Sequence, residues 1–113
     1  MDCLFCRIAS GQIPTRKVYE DDEIVAFEDI NPQAPVHLLV IPRKHTATLN
    51  DVQDDDDATV GRLHRVAAEL ARDRGLAERG YRVVMNCNAE AGQTVFHIHL
   101  HLLGGRPMQW PPG

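Results

Sequence analysis

The chain has 113 residues, 43% hydrophobic and 25% charged, which is ordinary globular composition and enough length for one domain with a modest core. A formal net charge of −4 argues against nucleic-acid binding through a broad basic surface, while leaving open a small anion held by local N–H groups and histidines. No leader-like segment and no apolar stretch near the roughly 20 residues of a membrane helix are visible; Cys3, Cys6 and Cys87 therefore read as reduced thiols or metal ligands in the cytoplasm, not as a disulfide framework.

In chain order, residues 18–20 and Ile24–Glu28 read as two short strands, with the acidic pair Asp21-Asp22 as the turn between them. Asn31-Pro32-Gln33-Ala34-Pro35 is turn chemistry, because each proline fixes its own φ and pushes its predecessor out of the helical region. Residues 36–41 are an apolar run stopped by Pro42. Such a strand suits burial on both faces, or an edge that pairs with its own copy. The clearest helix starts in the acidic run 54–57 and continues to Arg74. Val60, Leu63, Ala67, Leu70 and Ala71 recur at helical spacing, and Val66 widens the apolar face. First-turn aspartates and last-turn arginines suit the helix dipole, so the acidic run reads as a solvated helix start rather than a metal cluster, and Gly75 supplies a left-handed cap. Residues 81–85 and 94–103 complete the strands, the last bounded by Gly92 and by Gly104-Gly105. One long helix and five strands with short connections predict an α+β fold, a mostly antiparallel five-stranded sheet in a single domain over residues 1–113. In the ending Trp110-Pro111-Pro112-Gly113, Trp110 is a large apolar group with no element to hold it, which points to packing against a partner subunit.

Five of the six histidines fall in two places: His37 and His45 bracket one strand, and His97, His99 and His101 lie on another. Side chains at i, i+2 and i+4 of a strand share a face, so these three imidazoles face one way and Ile98, Leu100 and Leu102 face the core. His64, alone on the helix, reads as a surface residue. Two chemistries use such a strand. Two histidines and a third ligand can hold zinc and a water. Alternatively, one neutral imidazole attacks while its neighbours orient it and bind the electrophile's oxygens. No P-loop lysine motif or acidic magnesium pair is present, which argues against a kinase or P-loop enzyme. The Cys3-x-x-Cys6 pair by itself is ambiguous between a metal site and a redox pair.

Phe96-His97-Ile98-His99-Leu100-His101-Leu102-Leu103 resembles the signature of the histidine triad family, and the match continues through Phe27 to His37, Val83 to Asn86 and Gly92 to Val95. The ending from Gly104 to Gly113 resembles the Hint branch, whose members are purine nucleoside phosphoramidases. The resemblance implies a histidine triad fold, a homodimer with a continuous sheet, and hydrolysis of purine nucleoside 5′-phosphoramidates through a nucleotidyl-histidine. Dinucleoside polyphosphate chemistry and non-catalytic nucleotide binding are the alternatives it leaves. Carried over by position, His99 takes the nucleophile's place, with His37 and His101 supporting it at the phosphate. Asp29 takes the place that accepts the ribose hydroxyls. Phe27, Ile30, Leu4, Phe5 and Ile8 match the walls around the base. Asn86, Gly92, Gln93, Thr94 and Val95 match groups near the phosphate, and Trp110 belongs to a tail on the leaving-group side. Thr94 departs from the serine usual in that branch, keeping the hydroxyl and adding a methyl. Bacterial members resembling this chain close a structural zinc site at the positions of Cys3, Cys6, His45 and His97. No nucleic-acid or membrane partner is implied, and the chemistry needs no cofactor.

Overall fold

The computed structural model describes residues 3–113, so the first two residues of the expected domain lie outside it. Its strands are β1 (Lys17–Glu20), β2 (Ile24–Glu28), β3 (Val36–Pro42), β4 (Tyr81–Val84) and β5 (Leu100–Gly104), and its helices α1 (Leu4–Ala9) and α2 (Asp57–Asp73). The strands form one antiparallel sheet in the order β1-β2-β3-β5-β4. The period-2 alternation sorts the sheet's side chains onto two faces. Ile24, Ala26, Leu38, Val40, Leu100 and Leu102 pack against Leu63, Val66, Ala67, Leu70 and Ala71 of α2. Val25, Phe27, Leu39 and Ile41 pack on the other face against Phe5, Ile8 and Ala9 of α1.

The long helix follows its apolar stripe, with its first turn altered. Asp54–Asp56 is a 3₁₀ turn, and α2 proper begins at Asp57. The Asp56 carboxylate accepts the Gln53 N–H at 2.9 Å and the Lys44 Nζ–H at 2.6 Å, satisfying an N-terminal donor that would otherwise lack a partner. At the other end Gly75 has φ +73°, and Gly75 N–H and Leu76 N–H donate to Arg72 O and Ala71 O. This double bond pattern needs a left-handed residue, and it turns the buried Leu76 back onto the core. His64 lies exposed on α2, its Nδ1–H donating to Val60 O at 3.0 Å.

Three expectations change. Helix α1 has no counterpart in the sequence reading, because six residues make too short a window for periodicity; Cys3 caps it, its Sγ accepting the Cys6 N–H at 3.4 Å. Strand β3 is not an edge: β2 and β5 flank it, and β1 and β4 are the outer strands. The expected strand 94–103 is a strand only over Leu100–Gly104. Its pairing with β3 ends where Val40 stands opposite Leu100, and before Leu100 other groups take the polar bonds. Gln93 Nε2–H donates to Ala47 O and Val95 O, His99 Nδ1–H donates to His97 O, and Ile98 N–H reaches Thr46 O. Alternation nevertheless persists through the irregular stretch, with Ile98 in the α2-side core and the three histidines turned the other way.

Candidate functional site

A cavity of about 400 Å³ opens on the α1 face of the sheet. Leu4, Phe5 and Ile8 of α1 wall one side, Phe27 and Leu39 form the floor, and Ile30, 97% exposed, stands at the rim. Asp29, Thr94, Val95, His99 and His101 line its polar end. Ile13, Pro14 and Thr15 add a wall that the sequence reading missed; an apolar residue beside a proline between two elements carries no functional signal. His37 sits just behind the lining. Asn86, Gly92, Gln93 and Trp110 lie outside it. The Gln93 side chain is committed internally, its Oε1 accepting Asn88 N–H at 2.8 Å while its amide holds Ala47 O and Val95 O. Gly92 closes the turn Ala89–Ala91, Asn86 is half-buried beyond β4, and Trp110 is 82% exposed.

Backbone groups fix the proton positions on three imidazoles, and one of these fixes a fourth. Gln33 N–H donates to His37 Nδ1 at 3.0 Å, so His37 carries its proton on Nε2. That N–H donates to His101 Nδ1 at 2.8 Å, with Asp29 Oδ2 3.4 Å from the same Nε2. His101 therefore keeps its proton on Nε2, an N–H donor at the cavity. His99 Nδ1–H donates to His97 O at 2.8 Å, which leaves His99 Nε2 with a lone pair. His97 Nε2–H donates to Pro42 O at 2.7 Å, leaving its Nδ1 with a lone pair as well. Burial pushes His37, His97 and His99 below the ordinary imidazole value. His101 falls to about 4 through burial and then through the neighbouring His99 and His37. Near neutral pH the cavity thus presents one uncharged nucleophilic nitrogen beside one N–H donor.

Asp29 shapes the adjoining corner. Its Oδ1 accepts Asn31 N–H at 2.8 Å, and its carboxylate retains acceptor capacity toward the cavity. Phe5 meets His99 edge-on with centroids 5.0 Å apart and Phe27 at 5.4 Å, so α1 braces the His99 ring from the apolar side.

Among the described residues, two groups of side chains have metal-ligand composition, and their proton positions separate them. Cys3, Cys6, His45 and His97 bring their ligand atoms within 4.8 Å of one another. Cys3 Sγ and Cys6 Sγ lie 3.4 and 3.5 Å from His97 Nδ1, and Cys6 Sγ lies 3.5 Å from His45 Nδ1. A tetrahedral zinc with bonds of about 2.3 Å to sulfur and about 2.0 Å to nitrogen sets its sulfur and nitrogen ligands roughly 3.5 Å apart. These residues fit that ion. Burial and the neighbouring Cys3 push the Cys6 thiol up to about 11, the opposite of a reactive redox pair, and a divalent cation is what would favour two adjacent thiolates. In the other group, Asp29, His37 and His101, the Nε2 of His37 bears a proton rather than a lone pair. That set fits a proton relay and not a metal.

Three alternating histidines, His97 and His99 buried and His101 half-buried, stand beside an apolar cavity over a five-stranded antiparallel sheet, a geometry suited to attack by a neutral imidazole. The comparisons agree: a HIT domain matches residues 10–108. The chain belongs to the histidine triad family. It is 49% identical over 107 residues to a purine nucleoside phosphoramidase of Escherichia coli K12, covering 95% of this chain and 90% of that protein. A HIT family hydrolase from Legionella pneumophila superposes with a TM-score of 0.97 at 59% identity, covering 99% of this chain and all of that one. A zinc-bound histidine triad family protein from Mycobacterium smegmatis superposes at 0.80 with 40% identity, covering 94% and 76%.

Proposed function

We propose that the chain hydrolyses purine nucleoside 5′-phosphoramidates to the nucleoside monophosphate and an amine. The observation that carries this reading is His99, whose Nδ1–H is pinned to a backbone carbonyl and whose unprotonated Nε2 borders the polar end of the cavity. Its likeness to the E. coli phosphoramidase supports the choice of substrate. The base enters between Leu4, Phe5, Ile8, Phe27 and Ile30, and Asp29 accepts the ribose hydroxyls. His99 Nε2 attacks the α-phosphorus, a phosphorus–nitrogen bond breaks, and the departing amine takes a proton from solvent. Water then cleaves the phosphorus–imidazole bond and returns a proton, so two easier displacements replace one difficult one. His101 Nε2–H donates to the phosphoryl oxygens, held in that tautomer by His37.

Cys3, Cys6, His45 and His97 hold a structural zinc in this reading; the ligand spacing and the zinc-bound mycobacterial relative support it. A reducing compartment keeps two such thiols free for a metal, which supports a cytoplasmic location in this reading. No helix among the described residues is long and apolar enough to cross a membrane. The homodimer is assigned to the outer edge of β4. Tyr81 and Val83 are exposed there, and a second β4 would continue the sheet and cover them, while Trp110 reaches toward the leaving-group side of the neighbouring site.

The test is mass spectrometry of enzyme quenched during turnover of adenosine 5′-phosphoramidate. A nucleotidyl adduct on His99 is expected. His99→Ala should bind AMP and lose turnover by about 10⁴-fold or more, since the other lone pairs in the cluster are tied to partners. Near-normal turnover in folded His99→Ala overturns the mechanism.

A further inference from the structure

The loop 30–35 has no place in the sheet and is exposed along most of its length, yet Gln33 within it decides which nitrogen of the buried His37 bears a proton. The loop's own bonds are short-range: Asn31 N–H to Asp29, and Gln33 Nε2–H to Asn31 O. Among the described residues, one side chain from outside residues 29–37 bonds to it. Arg106, just after β5, donates from Nε–H and Nη2–H to Gln33 O at 3.1 and 3.0 Å, and from Nη1–H to Pro107 O at 3.2 Å. The backbone of the same segment closes on the loop. Gly105 has φ +94°, and a Cβ at that position would stand 2.8 Å from Pro35 Cβ. Only glycine accommodates both the conformation and the approach.

We propose that Arg106 is a positioning residue for the histidine relay. By clamping Gln33 O it keeps Gln33 N–H on His37 Nδ1, and thereby keeps the His101 N–H directed at the phosphate. Arg106 does not line the nucleotide cavity, so it acts through Gln33 rather than on the substrate. The chain of consequences follows from hydrogen-bond polarity. If the loop loosens, His37 can carry its proton on Nδ1, and its Nε2 becomes an acceptor facing another acceptor, His101 Nδ1, at 2.8 Å. The contact is restored when His101 moves its own proton to Nδ1. A lone pair of His101 then meets the anionic phosphoryl oxygens, and stabilisation of the developing charge is lost. The kinetic part of this role rests on the phosphoramidase reading; the tautomeric part does not.

Arg106→Gln and Arg106→Lys test it in the full zinc-loaded chain. Long-range ¹H–¹⁵N spectra should show a single His37 tautomer protonated at Nε2 in the native protein and a mixture in Arg106→Gln. kcat for adenosine 5′-phosphoramidate should fall about tenfold, part of the usual contribution of a positioned proton-bearing group, with KM and AMP affinity within about twofold. Arg106→Lys, which keeps a donor without the fork, should fall between the two. Should the glutamine variant melt early, the lysine variant carries the same comparisons. An unchanged His37 tautomer in Arg106→Gln overturns the proposal, as does a loss expressed in KM with kcat intact. If the native chain turns over no phosphoramidate while Arg106→Gln still mixes the tautomers, the functional reading fails and the positioning role stands.

Discussion

Acidification offers a direct probe of the histidine cluster, because His101 lies between two other imidazoles, with ring centroids 5.0 Å from His99 and 5.1 Å from His37. Burial is the main cause of its lowered pKa, the charge on either neighbour adds to it, and Asp29 opposes it. The ordinary imidazole value of 6.5 applies to the unfolded chain, and about 4 applies to the fold. Between those values the unfolded chain binds more protons, so stability must rise with pH. The stabilising contribution is complete above 6.5, declines as pH falls toward about 4, and changes no further below that. At about 1.4 kcal/mol per pH unit, the full difference is roughly 3 kcal/mol. Urea denaturation of the native protein and of His101→Asn, compared from pH 7.5 to pH 4, isolates the term. The proposed zinc ligands are common to both proteins, so any acid release of metal cancels in the comparison. The native curve should fall more steeply by most of that amount, and a ¹H–¹⁵N titration should place the His101 midpoint near 4. Parallel stability curves, or a midpoint at the ordinary imidazole value, would refute the electrostatic reasoning.

Asp29→Ala should weaken nucleotide binding by about 1.5–3 kcal/mol, and a 2′,3′-dideoxynucleotide should show a similar loss on the native enzyme; equal affinity for ribo- and dideoxynucleotides removes Asp29 from the ribose site. Metal analysis should find about one zinc per chain, and chelation should lower the thermal midpoint more than the initial turnover rate; a purified protein without zinc contradicts the assignment. Deleting residues 110–113 should change the preference among amine leaving groups more than the affinity for AMP, while light scattering at micromolar concentration still gives a dimer; a monomeric native chain or unaltered selectivity refutes the corresponding part.

The alternation of His97, His99 and His101 with Ile98, Leu100 and Leu102 was legible because one period sorts polar from apolar faces, and this outlasts the loss of regular strand geometry before Leu100. Helix α2 was legible for a similar reason, its stripe repeating from Val60 to Ala71 over about three turns. The place of β3 was not. An apolar run suits the centre of a sheet as well as a covered edge, and only the long-range pairing with β2 and β5 decides between them. Nor could the proton positions be read from the chain. They depend on Gln33 N–H, His97 O and Pro42 O, and a backbone group has the same chemistry whatever side chain it carries. By itself the cysteine pair was ambiguous; the family resemblance named His45 and His97 beside it, and the fold brings both imidazoles to the thiols.

His97 joins the two halves of the site, which makes the expected separation of stability from turnover a demanding one. Its ring faces the thiols through Nδ1, while its carbonyl orients the His99 ring. Without the proposed zinc no metal cross-links α1 to the ring, and the packing of Phe5, Ile8 and Ala9 must hold the helix together with the Arg43 Nη1–H bond to Ala9 O at 2.7 Å. The groups that fix the His97 backbone are different ones. His97 Nε2–H remains on Pro42 O at 2.7 Å, and Ile98 N–H remains on Thr46 O at 2.8 Å. Neither bond involves a thiol, so the carbonyl that holds His99 Nδ1–H keeps its position until the fold itself gives way. Phe5 is the weak point: it packs edge-on against His99 and is carried by the helix that the cysteines anchor. Chelation should therefore act first on the apolar wall, raising KM before it lowers kcat, and an early fall in kcat at constant KM would show that the metal orients His99 through His97 after all.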